Sequence, residues 1–345
     1  MRAVRLMGEG RLVIDDIAEP EPGYGEVLIQ VSGAGICGSD VHLRHIPDWP
    51  LPGSVLGHET SGRVVSTGSG VEGFDAGDAV LVYLVWSCGR CRPCVSGREN
   101  ACTAAGRTRV PACPGLGVNA GGMAEFMKVP ARYLEHIGSL DPVAAAPLAD
   151  AGLTPMHAVN GARHRLTPGS TAVVIGIGGL GHMGLQILSA TTGVRIIALE
   201  SDSSKLELAQ SLGADVAIAS DESSVEKVLE LTDGYGADAV FDFVGIAPTV
   251  DVATSVVAPD GALRFVGLGG GEFRYAVDSL TTTLPWGVDV RRSYGGTRTD
   301  LQQVIALAAA GRVEVELTRY DLDDALQAFD DLEAGKVHGR AVLVP

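Results

Sequence analysis

The sequence predicts an α/β protein of two domains: a β-rich domain over residues 1–151, a doubly wound parallel sheet over 152–295, and a return to the first domain over 296–345. Three observations predict it. At 345 residues the chain exceeds one ordinary core and suits two, each large enough to fold. Before residue 150, strand-length runs are separated by Pro/Gly clusters such as Pro20-Glu-Pro-Gly23. After Thr171, continuously apolar strands alternate with helix-length segments, the pattern of a parallel sheet covered on both faces.

Composition narrows the ligand. The 26 Lys+Arg against 42 Asp+Glu give a formal charge of −16, which repels nucleic-acid phosphates and anionic lipid and points to a small molecule. The first ten residues meet Gly and Glu before any apolar signal region forms, so cytoplasmic residence is expected. The most apolar stretch, Ala172 to Leu188, is broken by five glycines and reads as strand, turn and helix, not as a membrane span.

In the first domain, Ala3–Leu6, Arg11–Ile14, Glu26–Val31 and Arg63–Thr67 are the expected strands. Between them lies Cys37-Gly-Ser39-Asp40-Val-His42 and, one loop on, Gly57-His58-Glu59. A thiolate and an imidazole so close to carboxylates are the ligand types of a zinc site with an open position. Cys37 and His58 are the first two candidate ligands; singly, each would read as a buried core residue. Asp40 is in reach to orient the His58 ring, and Glu59 is expected behind the metal.

All six cysteines fall between residues 37 and 113. Cys88, Cys91, Cys94 and Cys102 form a C-x2-C-x2-C-x7-C lobe within about residues 86–113, suited to a closed structural zinc site. An iron–sulfur cluster would use similar thiolates, and disulfides at this spacing would be strained. Cys113 stands outside the spacing.

In the second domain, Thr171–Ile175 runs into Gly176-Ile-Gly178-Gly179-Leu180-Gly181 and a helix over His182–Ala190. A strand before and a helix after G-x-G-x-x-G let glycine backbone and helix N-terminus take a pyrophosphate. The next strand, Arg195–Leu199, ends in Glu200, 19 residues beyond Gly181. An acid there bonds the adenosine ribose diol and repels a 2′-phosphate, which favours NAD over NADP. Further units follow: strand 215–218, helix 222–231, strand 239–244, helix 248–257 and strand 262–267. Helices over 300–310 and 323–333 and the strand Arg340–Val344 lead back to the first domain.

Together Cys37, the G-H-E-x2-G-x5-G-x2-V run from Gly57 to Val71, the four-cysteine lobe and the glycine-rich loop resemble the zinc-dependent medium-chain alcohol dehydrogenases over essentially the whole chain. The likeness extends to bacterial NAD-dependent enzymes acting on hydrophobic secondary alcohols and ketones. It implies a GroES-like catalytic domain, a Rossmann NAD-binding domain, two zinc ions per chain, and a homodimer or homotetramer built through the cofactor domains.

The resemblance puts the third catalytic zinc ligand at Asp150, which would otherwise read as a helix N-cap, with Glu59 as a competing ligand. It makes Ser39 and His42 a proton relay through the cofactor's ribose hydroxyls to solvent. Arg340 is implied at the pyrophosphate, Lys205 near the adenosine ribose, and Thr154, Leu180, Val244, Val266 and Leu268 along the nicotinamide. An apolar substrate pocket has Trp49, Trp86, Leu116 and Trp286 as candidate walls. Gly295 stands where close relatives carry a bulky aromatic residue, so room for larger alcohols is expected. A polyol or amino-alcohol dehydrogenase with Glu59 on zinc, and a non-catalytic nucleotide-binding protein, are the alternatives.

Overall fold

In a computed structural model, described for residues 1–117, 120–275 and 284–345, two units form. The first comprises Met1–Leu153, Gly295–Gly311 and Val315–Pro345; the second comprises Thr154–Tyr294 and Arg312–Glu314.

The first unit is built on the strand Glu26–Ile36. Its early residues pair antiparallel with Phe126–Pro130, its last with Arg340–Val344, and nearly its whole length with Glu59–Thr67. Leu317–Asp321, Ala79–Val82 and Leu134–His136 complete a seven-stranded sheet, beside a three-stranded one of Leu12–Asp16, Arg2–Leu6 and Ser54–Val55. The central strand outruns the expected Glu26–Val31 because two glycines carry it past the end of its apolar run. A Cβ at Gly33 would press within 3.1 Å of the Val143 backbone, and one at Gly35 would collide with the Glu59 carboxylate. Glycine in a strand interior thus marks close approach.

The second unit is a six-stranded, all-parallel sheet in the order Val216–Ala219, Arg195–Glu200, Thr171–Ile175, Ala237–Asp242, Val257–Phe265, Asp289–Arg292. This is the 3-2-1-4-5-6 order of a doubly wound dinucleotide fold. Val173, Ile175, Ile197, Leu199, Val240 and Leu263 fill one core between sheet and helices. The fifth strand begins at Val257, before the Pro259-Asp260-Gly261 stretch that reads as a turn. Asp260 takes a left-handed φ of 61° and the pairing register shifts nearby, so the strand absorbs the irregularity. Arg312–Glu314 joins this unit because Gln186 bonds Glu314 twice, Nε2 to its carbonyl and Oε1 from its N–H, each at 2.8 Å. Among the described residues no helix is long and apolar enough to cross a membrane.

Candidate metal and cofactor sites

The four-cysteine lobe turns tightly: Cys91 precedes the short helix Arg92–Val95, and Cys88 N–H donates to Cys102 Sγ at 3.3 Å. The sulfurs of Cys88, Cys91, Cys94 and Cys102 all lie within 4.8 Å of one another, and every cysteine is a free thiol. Sγ separations of 3.3 Å for Cys91–Cys94 and 3.8 Å for Cys91–Cys102 exclude a disulfide and approach the roughly 3.8 Å of sulfurs around tetrahedral zinc. Backbone N–H groups of Cys94 and Thr103 pull the Cys91 thiol down to about 6, while burial pushes Cys94 up to about 12. Backbone N–H groups of Arg90 and Cys91 lower the Cys88 thiol as well. Cys113 is separate: burial pushes its thiol up to about 12, as for an inert core cysteine.

The second donor set assembles where three chain segments end. Cys37 follows the central strand and precedes the helix Gly38–Arg44; its N–H donates to Asp40 Oδ2 at 2.9 Å. His58 directly precedes the strand Glu59–Thr67, and Gly57 turns the backbone there with φ 101°. Asp150 follows the 3-10 turn Ala146–Ala149. Asp150 Oδ2 stands 3.4 Å from Cys37 Sγ and 3.5 Å from His58 Nε2. His58 is 2 % exposed and neither ring nitrogen has a hydrogen-bond partner; Nδ1 faces Asp40 Oδ1 at 3.4 Å. A buried imidazole whose Nε2 points at a thiol and a carboxylate oxygen fits a metal ion, which satisfies all three. Asp40 is then the acceptor that fixes the ring tautomer.

Glu59 does not join this set. Its carboxylate accepts Arg340 Nε at 2.8 Å, Arg340 Nη2 at 2.5 Å and the Ala151 N–H at 3.0 Å. Expected behind the metal, with ligation as the competing possibility, it has both carboxylate oxygens engaged by these partners. Arg340, expected at the pyrophosphate, is 3 % exposed, and its Nε and Nη2 bond Glu59. Ser39 is half-buried with Oγ 3.5 Å from Cys37 Sγ, and His42 is exposed one helical turn later.

Trp49 is buried with Nε1 donating to Ser54 Oγ at 3.2 Å, and half-buried Trp86 stacks on Tyr133 at 5.2 Å. Leu116 is half-buried. Trp286 is 62 % exposed. Gly295 has φ 47°, and a Cβ there would meet Val85 Cγ2 at 3.2 Å and Leu84 Cδ1 at 3.6 Å, so neighbours already occupy the base of the space.

In the second unit the glycine loop has the form a dinucleotide needs. Gly176 takes φ 84°, a Cβ at Gly181 would strike the Gly176 carbonyl, and open space faces Gly178. Gly179 and Leu180 lead into the helix Gly181–Thr191. Glu200 Oε2 accepts the Ile177 N–H at 2.6 Å, joining the strand-end acid to the loop. Lys205 lies 3.7 Å from Asp202. Thr154 and Val266 are buried, Val244 is half-buried, and Leu268 is exposed. Asp242, missed in the sequence, holds the Val244 turn: its Oδ1 accepts the Val244 and Gly245 N–H groups at 2.9 Å each. A strand-end Asp in Asp242-Phe-Val-Gly245 was the available signal.

These features accord with the chain's relatives. Residues 23–139 match the alcohol dehydrogenase GroES-like domain and residues 179–310 the zinc-binding dehydrogenase domain. An NAD-dependent alcohol dehydrogenase of Sulfurisphaera tokodaii is 37% identical, covering 100% of both chains. A D-arabinose 1-dehydrogenase (NADP(+)) of Saccharolobus solfataricus is 35% identical over 97% of this chain and 94% of its own. The crystal structure of the alcohol dehydrogenase from Aeropyrum pernix superposes with a TM-score of 0.90 at 35% identity, covering 100% of both chains. The chain belongs to the zinc-dependent medium-chain dehydrogenase/reductase family. Its two metals are zinc, structural in the four-cysteine lobe and catalytic at Cys37, His58 and Asp150, and its cofactor is a nicotinamide dinucleotide.

Proposed function

We propose that this protein is an NAD-dependent alcohol dehydrogenase that interconverts hydrophobic alcohols with their ketones or aldehydes. The observation that carries the reading is the buried Cys37/His58/Asp150 set, with an orphaned His58 Nε2, in a chain that also holds a glycine loop and Glu200. Zinc supplies Lewis-acid polarisation of the substrate oxygen, and NAD supplies the hydride acceptor. Cys37, His58 and Asp150 hold the metal, and Asp40 keeps the His58 ring oriented. Ser39 receives the proton released at the substrate oxygen, and exposed His42, one helical turn on, hands it to solvent. Glu200, already bonded to the loop, bonds the ribose diol and disfavours a 2′-phosphate.

The test is NADH formation, read by near-UV absorbance, with small, bulky, aromatic and polyol alcohols and an NADP control. Activity with apolar alcohols and NAD supports the reading; silence from a protein holding two zincs contradicts it. Oxidation of a polyol or sugar is the second reading, favoured by the likeness to D-arabinose 1-dehydrogenase. A homo-oligomer and cytoplasmic residence accompany the proposal, on family habit and on a cluster of free thiols that calls for a reducing compartment.

A further inference from the structure

Across three neighbouring strands of the first unit, Gly35 lies between Val342 and Glu59, and Arg340, two residues before Val342, shares its face. Arg340–Val344 pairs with the end of Glu26–Ile36, where Gly35 lies opposite Glu59 on the next strand. Gly35 has no side chain, and a Cβ there would strike the Glu59 carboxylate. The glycine therefore opens a passage over the middle strand through which Arg340 and Glu59 meet, Nε to Oε2 at 2.8 Å and Nη2 to Oε1 at 2.5 Å. The same Nη2 reaches Asp150 Oδ2 at 3.4 Å, and Glu59 Oε1 also holds the N–H of Ala151, the next residue. Asp150 Oδ2 is the oxygen that faces Cys37 Sγ and His58 Nε2.

We propose that Arg340, braced by Glu59 across Gly35, is a positioning residue that holds the Asp150 carboxylate with Oδ2 toward Cys37 and His58 and thereby sets how tightly the catalytic zinc is retained. The inference rests on the assignment of Cys37, His58 and Asp150 to zinc. A carboxylate ligand offers two oxygens and rotates about its last bond, so a guanidinium beside one oxygen selects the orientation; a thiolate has a single donor and needs no such selection.

The test reads zinc release to a chromophoric chelator from wild type, Arg340→Lys and Glu59→Gln, and from the same two substitutions in an Asp150→Cys background. Turnover is not involved. In the Asp150 protein both variants should release catalytic zinc about 10–100-fold faster, with the four-cysteine zinc unchanged as internal control. With Cys at position 150 most of that acceleration should vanish. With cobalt(II) at the catalytic site, Arg340→Lys should shift the visible bands. Wild-type release rates in both variants, or equal acceleration in the Asp150→Cys background, overturn the proposal, as does joint loss of both zincs from the isosteric Glu59→Gln, which would show a packing role. Wild type holding only one zinc would instead overturn the underlying metal assignment.

Discussion

Asp40 uses both oxygens on the catalytic ligands: Oδ2 accepts the Cys37 N–H at 2.9 Å, and Oδ1 stands 3.4 Å from His58 Nδ1. One buried carboxylate thus bonds the backbone of one ligand and faces the ring of another. Asp40→Asn keeps the shape but can present an N–H to Nδ1, favouring the tautomer that puts the proton on Nε2. Catalytic zinc affinity should fall about 10–100-fold, measured by chelator competition, with the structural zinc retained.

On the proposed function, Glu200 sets the choice of dinucleotide. Replacing it with Ala removes a charge-assisted bond to the ribose worth about 1.5–3 kcal/mol and the repulsion of a 2′-phosphate. The ratio of kcat/KM for NAD over NADP should drop at least about tenfold. Because Glu200 also holds the Ile177 N–H, NAD binding itself should weaken, read as a higher KM for NAD.

The buried Arg264 of the second unit gives an acid-sensitive contact. Its Nη2 donates to Asp289 Oδ2 at 2.7 Å and to the Gly161 carbonyl at 2.7 Å. Partial burial alone would raise the Asp289 carboxyl, but the Arg264 guanidinium outweighs it and holds the carboxyl below its usual range. The stabilisation is complete above the unfolded carboxyl's pKa, about 3.9, and is lost as pH falls through the lower folded value. Asp289→Asn should cost about 2 kcal/mol at pH 7, seen as a lower Tm, and the cost should shrink toward pH 3.

At Gly295, a bulky side chain must displace Val85 and adopt a left-handed backbone. Gly295→Trp should lower Tm and reduce kcat/KM for bulky alcohols more than for propan-2-ol. Equal losses for both would remove Gly295 from the determinants of substrate size.

What the sequence made legible follows from distance along the chain. The four-cysteine lobe and the glycine loop are local, so spacing alone shows their chemistry. Cys37 and His58 are 21 residues apart and could be paired by residue type. Asp150 lies 113 residues beyond Cys37, and only the resemblance pointed to it. The Glu59–Arg340 pair spans 281 residues and went unread, although Gly35 within a strand was a sign of close approach. The exposure of Trp286 was unreadable for another reason: a lone aromatic residue in a sequence does not show whether it is covered.

The most direct measurement compares zinc content and NADH formation in wild type and Asp150→Ala. The account predicts two zincs and activity with apolar alcohols for wild type, and one zinc, a folded chain and no NADH for Asp150→Ala. Two zincs and retained activity in Asp150→Ala would contradict the assignment of Cys37, His58 and Asp150 as the catalytic metal site.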